Sequence, residues 1–266
     1  MPDRLDLHHM YDVDYPKVGQ DGVATDDPRE RSRVVDWLRR LGDGVFVDFG
    51  CGEGGLLVEA AKLGWRVAGV ELNPAFADSV ASRTREMVVS DPDLLTGMGL
   101  APADVVHLGD VVEHLTDLDR QMPAIVRLVK PGGLLLSQGP LEASPNLFTA
   151  MLRLVRRLRP RPIVSPPYHV LLATAEGQRD FFRRFDLEEV EYAVCEVAWP
   201  APSRLAIADL ARPRLVALFL IRRLSQAISS LFPNGMGNRY FFVGRRSTDT
   251  GASGSEELAI ALEQTA

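Results

Sequence analysis

Cysteine is scarce in this chain. Two residues, Cys51 and Cys195, among 266 make neither a metal-binding spacing nor a disulfide framework, so a reducing, cytoplasmic setting is expected. There is no long apolar run. The most apolar stretch, about 214–232, is broken by Arg222 and Arg223, well short of the ~20 residues a membrane-crossing helix needs. There is no excess of basic charge either. Thirty lysines and arginines stand against 36 acids, for a net charge of −6, so nothing global argues for nucleic acid or an anionic membrane as partner. The first residues include Asp3, Arg4, Asp6, His8 and His9, which is no signal peptide. No internal repeat is visible. With 46% hydrophobic and 25% charged residues, the chain reads as one large α/β domain with ample core.

The stretch that organises the rest is Val45-Phe46-Val47-Asp48-Phe49-Gly50-Cys51-Gly52-Glu53-Gly54-Gly55. An apolar run ends in an acid, breaks into glycines and is followed by Leu56, Leu57, Ala60, Ala61 and Leu63 at helical spacing. That pattern is a buried parallel strand, a tight turn and a helix start, the first unit of a nucleotide-binding sheet. Glycine permits the sharp turn and the close approach of a ligand, because no Cβ intervenes. The turn alone could hold NAD, FAD or S-adenosylmethionine (SAM). A dinucleotide sets its pyrophosphate on the helix N-terminus, where the carboxylates of Asp48 and Glu53 would repel it. SAM carries an ammonium and a sulfonium, both cationic, and suits such a rim better.

Residues 1–26 read as a tail or a cap, the latter placing Tyr11 and Tyr15 over a ligand. Asp27-Pro28-Arg29-Glu30 announces a helix, with Val34, Val35, Leu38 and Leu41 as its apolar stripe. A second strand, Trp65 to Glu71, ends in an acid about 20 residues past the glycine turn, where it can hold ribose hydroxyls. A short third strand ends at Asp91, within reach of an adenine amino group. A fourth, Asp104 to Gly109, leads into Asp110-Val111-Val112-Glu113-His114-Leu115. The next helix buries Leu118, Met122, Ile125, Val126 and Val129, with Pro123 expected in its first turn. Lys130-Pro131-Gly132-Gly133 ends it, and Leu134 opens the fifth strand.

Beyond that strand, a helix is expected to bury Leu147, Met151, Leu154, Val155 and Leu158 and to show Arg153, Arg156, Arg157 and Arg159. A basic face of this kind is ordinarily solvated. A proline-rich loop, 160–167, brings Tyr168 and His169 towards the strand ends as substrate contacts. Residues 178–185 read as helix and 187–194 as the sixth strand. A helical insertion at about 200–235 reads as a lid, a homodimer surface or a membrane contact. Asn238 to Gly244 is the closing strand, which bounds the domain at 27–246, and 247–266 a disordered tail with a short helix near Glu256.

Asp48-Phe49-Gly50-Cys51-Gly52-Glu53-Gly54, Glu71, Asp110 to Leu115 and Leu128 to Gly133 occur in an order and spacing that resemble the class I SAM-dependent methyltransferases. The likeness is to the ubiquinone-biosynthesis type and its natural-product relatives, over about residues 27–200. The resemblance implies a doubly wound, mostly parallel seven-stranded α/β sheet with a reversed last strand, and methyl transfer from SAM. It places Asp48 near the methionine moiety, Gly50, Cys51 and Gly52 along it, Glu71 on the ribose, and Asp91, Gly109 and Asp110 around the rest.

Methyl transfer is an in-line attack on the sulfonium methyl, so alignment is the main demand. A hydroxyl nucleophile must also lose its proton, to a base or with help from a metal. His114 is the candidate base. Asp110, Glu113, His114 and downstream His169 also form a carboxylate–imidazole set suited to a divalent ion. They resemble the metal site of small-RNA 3′-terminal 2′-O-methyltransferases, although Asp110 stands where that pattern has Glu. The expectation is O-methylation of a small-molecule acceptor in quinone, sugar or natural-product metabolism. The alternatives are metal-assisted RNA 2′-O-methylation, a non-catalytic SAM-binding protein and an NAD dehydrogenase.

Overall fold

The computed structural model describes residues 28–158, 169–197, 204–232 and 235–248. Alternating strands and helices run through it in chain order: α1 (Pro28–Leu41), β1 (Val45–Phe49), α2 (Gly55–Lys62), β2 (Arg66–Val70), α3 (Pro74–Thr84), β3 (Met87–Val89) and α4 (Asp93–Gly97). Then come β4 (Ala103–Gly109), α5 (Leu118–Arg127), β5 (Val129–Pro140), α6 (Leu147–Leu158), α7 (Ala175–Phe182), β6 (Leu187–Cys195), α8 (Pro213–Leu231) and β7 (Arg239–Arg246). Two 3₁₀ turns, Val112–His114 and Ile207–Ala211, precede α5 and α8.

The seven strands form one sheet in the order β3-β2-β1-β4-β5-β7-β6. β1 to β5 pair in parallel, while β7 lies antiparallel between β5 and β6. Because side chains alternate across a strand, successive residues feed two cores. Phe46, Val67, Val105 and Leu136 pack under α1, α2 and α3 with Val34, Leu38, Leu57 and Val80. Val47, Val70, Val106 and Leu135 pack on the other face with Met122, Ile125 and Phe182.

Local signals explain most boundaries. Asn73 caps α3 by accepting the Phe76 amide, with Pro74 as its first residue. Four expectations are corrected. Pro123 lies inside α5, not in its first turn. β5 starts at Val129, since Val129 pairs with Ala103 and the Pro131-Gly132-Gly133 stretch is accommodated as a bulge before Leu134 pairs with Val105. Leu41, at the end of α1, is 40% exposed, and Leu154 on α6 is 53% exposed. No described helix is long and apolar enough to cross a membrane.

α8 departs from the usual amphipathic rule. Its buried residues are polar, namely Arg222, Ser225 and Ser229. Glu196, just past β6, holds it in place. The Arg222 guanidinium donates to one carboxylate oxygen at 2.5 Å and the Ser225 hydroxyl to the other at 2.7 Å. The Ser229 hydroxyl donates to the Met236 carbonyl.

Candidate active site

In an open α/β sheet a ligand binds beyond the carboxyl ends of the strands, where the strand order reverses. Here that point lies between β1 and β4. The glycine turn follows β1 and Asp110–His114 follows β4. The two loops touch, since a Cβ on Gly50 would lie 2.5 Å from the Val111 side chain. Gly50, Gly52 and Gly54 take φ of +78°, +49° and +76°, the left-handed region that side chains resist. The amides of Gly50 and Cys51 both donate to the Val70 carbonyl, at 2.8 and 3.1 Å, which ties the turn to the tip of β2. A Cβ on Gly52 would meet nothing within 4 Å, so that backbone faces open space. The Cys51 thiol instead packs into the core against Gly69, and burial pushes its pKa up, followed by Asp48 and Glu71.

Three acids were expected to rim the donor site. The structure separates them. Asp48 is buried, and its Oδ1 lies 2.7 Å from His107 Nδ1 on the neighbouring strand. Glu53 is exposed. Glu71 is buried and accepts the Asn73 amide at 3.2 Å. Burial raises its pKa, while the amides of Asn73, Gly52 and Leu72 pull the other way. Asp91 is exposed and accepts the Asp93 amide at 3.0 Å, so it opens α4.

Gly109 is fixed by its neighbour, because a Cβ there would approach His107 Cε1 to 2.8 Å. Asp110 adopts φ +53° and is gripped by the Arg239 guanidinium through two bonds, at 2.5 and 3.0 Å. Asp110 therefore drops out of the expected metal set. The remaining three do gather: ligand atoms of Glu113, His114 and His169 all lie within 4.8 Å of one another. The His114 and His169 rings meet edge to face with centroids 5.0 Å apart. The Glu113 carbonyl accepts the Val170 and Leu171 amides at 2.8 and 3.1 Å, which anchors the chain after the proline-rich loop beside β4. His169 Nδ1 lies 3.0 Å from the Glu142 carboxylate.

Glu113 is 4% exposed, and among the described residues neither of its carboxylate oxygens has a hydrogen-bond partner. Burial, then the nearby Asp110 carboxylate, holds its pKa well above the usual range. Tyr240 lies beside it, with its hydroxyl 3.0 Å from the Ser137 hydroxyl, and burial pushes that phenol up as well. Tyr11 and Tyr168 lie outside the described residues. A separate cleft of about 310 Å³ opens between α6 and α8, lined by Asn146, Thr149, Arg153, Ile228 and Met236 among others. No residue of the glycine turn borders it.

His107, Arg239, Glu142 and Tyr240 were not read as site residues. One signal was available: with β1 beside β4, Asp48 and His107 fall opposite each other in register. Arg239 contacts Asp110 across 129 positions of chain, and no local pattern announces that.

The methyltransferase-domain family matches residues 28–191. The chain is 29% identical to the trans-aconitate 2-methyltransferase of Azoarcus sp. (strain BH72), over 71% of its own length and 78% of that protein. It is 35% identical to the ubiquinone biosynthesis O-methyltransferase of Rhizobium johnstonii over 41% of its own length, spanning 43% of that relative. Among solved structures, magnesium protoporphyrin IX methyltransferase from Synechocystis superposes with a TM-score of 0.59 at 13% identity, covering 92% of this chain and all of that one. The [4+2]-cyclase SpnF superposes with a TM-score of 0.57 at 16% identity, covering 93% and 98%. Sheet order, glycine turn and family match agree, and the chain belongs to the class I SAM-dependent methyltransferases.

Proposed function

We propose that this methyltransferase moves the methyl group of SAM to a hydroxyl of a small-molecule acceptor at the crevice between β1 and β4. The observation that carries this reading is the gathering of Glu113, His114 and His169, two of them in the loop after β4 whose Val111 side chain stands over Gly50 of the glycine turn. On the donor side, the open backbone at Gly52 and the Glu71 carboxylate suit the methionine and ribose portions of SAM, with Gly50, Cys51, Gly109 and Asp110 framing them.

As the acceptor oxygen bonds to the methyl carbon, the carbon–sulfur bond breaks and S-adenosylhomocysteine leaves. The hydroxyl proton passes to the imidazole of His114, in the loop that follows β4. His169, steered by Glu142, stands against it. Holding the two substrates in line contributes roughly 7–11 kcal/mol of the barrier reduction.

Glu113, His114 and His169 also fit a divalent ion, since one carboxylate and two imidazoles converge and the Glu113 carboxylate is buried. When bound, such an ion would lower the pKa of an acceptor hydroxyl.

The test is turnover of SAM to S-adenosylhomocysteine with a panel of phenols and hydroxy acids. Full activity of His114→Ala at neutral pH would remove the base. Activity that survives chelation, with no divalent ion copurifying, would remove the metal. Because the fold also serves a [4+2]-cyclase, binding of SAM without turnover on any acceptor would overturn methyl transfer itself.

A further inference from the structure

The outward face of α8 is apolar where a surface helix is normally polar. Leu220, Leu224 and Leu231 are 59%, 55% and 74% exposed. With Ala217 and Ala227, also exposed, they form one stripe at spacings of three and four. Phe232 extends it at one end, and Ile207 and Leu210 of the preceding 3₁₀ turn are exposed as well. Isolated exposed leucines need no account, but a contiguous patch of this kind marks an interaction surface. The helix is not loose. Arg222, Ser225 and Ser229 fasten its polar side to Glu196 and Met236, so the apolar side is held outward.

Charge identifies what the face meets. Arg204 just before the 3₁₀ turn, Arg212 at its end (paired with Asp209) and Arg214 and Arg223 on α8 are all exposed, and so are Arg153 and Arg157 on α6, which packs beside α8. Against these six arginines, residues 147–158 and 204–232 contain one acid, Asp209. The chain as a whole is net negative, at −6, whereas these two segments carry a local excess of positive charge. A second copy of the chain is disfavoured, because a two-fold interface sets the same patch against itself and brings arginine to arginine. An apolar stripe rimmed by arginines matches a bilayer surface bearing anionic headgroups. Leucines enter the acyl boundary, while guanidinium groups stay at the phosphates. We infer that α8 and its 3₁₀ turn dock this enzyme, by their exposed apolar face, onto an anionic lipid surface.

Vesicle flotation of the full chain tests this. Vesicles of phosphatidylglycerol and phosphatidylcholine should carry the protein upward, vesicles of phosphatidylcholine alone should not, and added salt should weaken binding. Leu220→Asp with Leu224→Asp should abolish flotation while leaving thermal unfolding and S-adenosylhomocysteine binding unchanged. Arg214→Gln with Arg223→Gln should weaken it about thirtyfold, the loss of two basic side chains at a charged surface. Failure of the wild type to float, or equal and salt-independent binding to both vesicle types, would overturn the inference. So would a wild-type dimer in light scattering that the paired aspartates turn into monomers, which would give the face to a second copy.

Discussion

Arg222→Met isolates the contact that fastens α8. The Arg222 side chain is 2% exposed and that of Glu196 1%, so both charges are removed from water. Removing the guanidinium leaves a buried carboxylate with the Ser225 hydroxyl still donating to it. Breaking one side of such a pair typically costs about 3–5 kcal/mol, because the remaining charge stays desolvated. In a chain of this size that is a fall in Tm of roughly 6–20 °C. Replacing both groups, as Arg222→Met with Glu196→Met, removes the desolvation problem along with the attraction. It should lie within about 1–2 kcal/mol of the wild type. Urea unfolding followed by circular dichroism, completed as a double-mutant cycle, should give a coupling energy of at least about 2 kcal/mol. If α8 opens before the sheet does, hydrogen exchange of its amides reads the same cost locally. A loss below about 1 kcal/mol for Arg222→Met would mean that the pair is solvated. The account of α8 as a helix held by its polar side would then be wrong.

Gly50→Ala should lower affinity for S-adenosylhomocysteine by calorimetry at least tenfold, since φ is +78° and the new Cβ would meet Val111 at 2.5 Å. The backbone strain alone is about 1–2 kcal/mol, and adding Val111→Ala should relieve only the clash. Glu189 is held below its ordinary carboxylate range by a hydrogen bond from Arg179. Its contribution is present above the unfolded-state pKa near 4.5 and is lost as pH falls through the lower folded value. Glu189→Gln should therefore remove a small contribution at pH 7, small because the pair is partly exposed, and converge on the wild type as pH falls below about 4.5, where the wild type has lost it too.

The glycine turn, the acid at the tip of β2 and the order of strands and helices were legible because each is written over a few adjacent residues. Asn73-Pro74 caps α3 wherever the rest of the chain goes. The reversal of β7, by contrast, came with the resemblance and not from the strand's own alternation. The partners of the acids were not legible, for a physical reason: a carboxylate in the sequence has no direction, and Asp48 faces His107 while Asp110 faces Arg239. The helix at 213–231 shows the same limit: Arg222 finds Glu196 some 26 positions away and takes the inside, leaving Leu220 and Leu224 outside, a choice that no local pattern announces. His114, just past β4, and His169, between α6 and α7, do come together, with ring centroids 5.0 Å apart.

β7 has a place in the sheet that its place in the chain makes awkward. Among the described strands it comes last in the chain, yet it fills the slot between β5 and β6. Until it arrives, β5 has an open edge and β6 has no partner, a state that invites pairing with other chains. Its first residue, Arg239, also supplies the clasp on Asp110. A ribosome-bound chain that has emerged only to residue 230 would thus carry the whole glycine turn and an unfinished pocket.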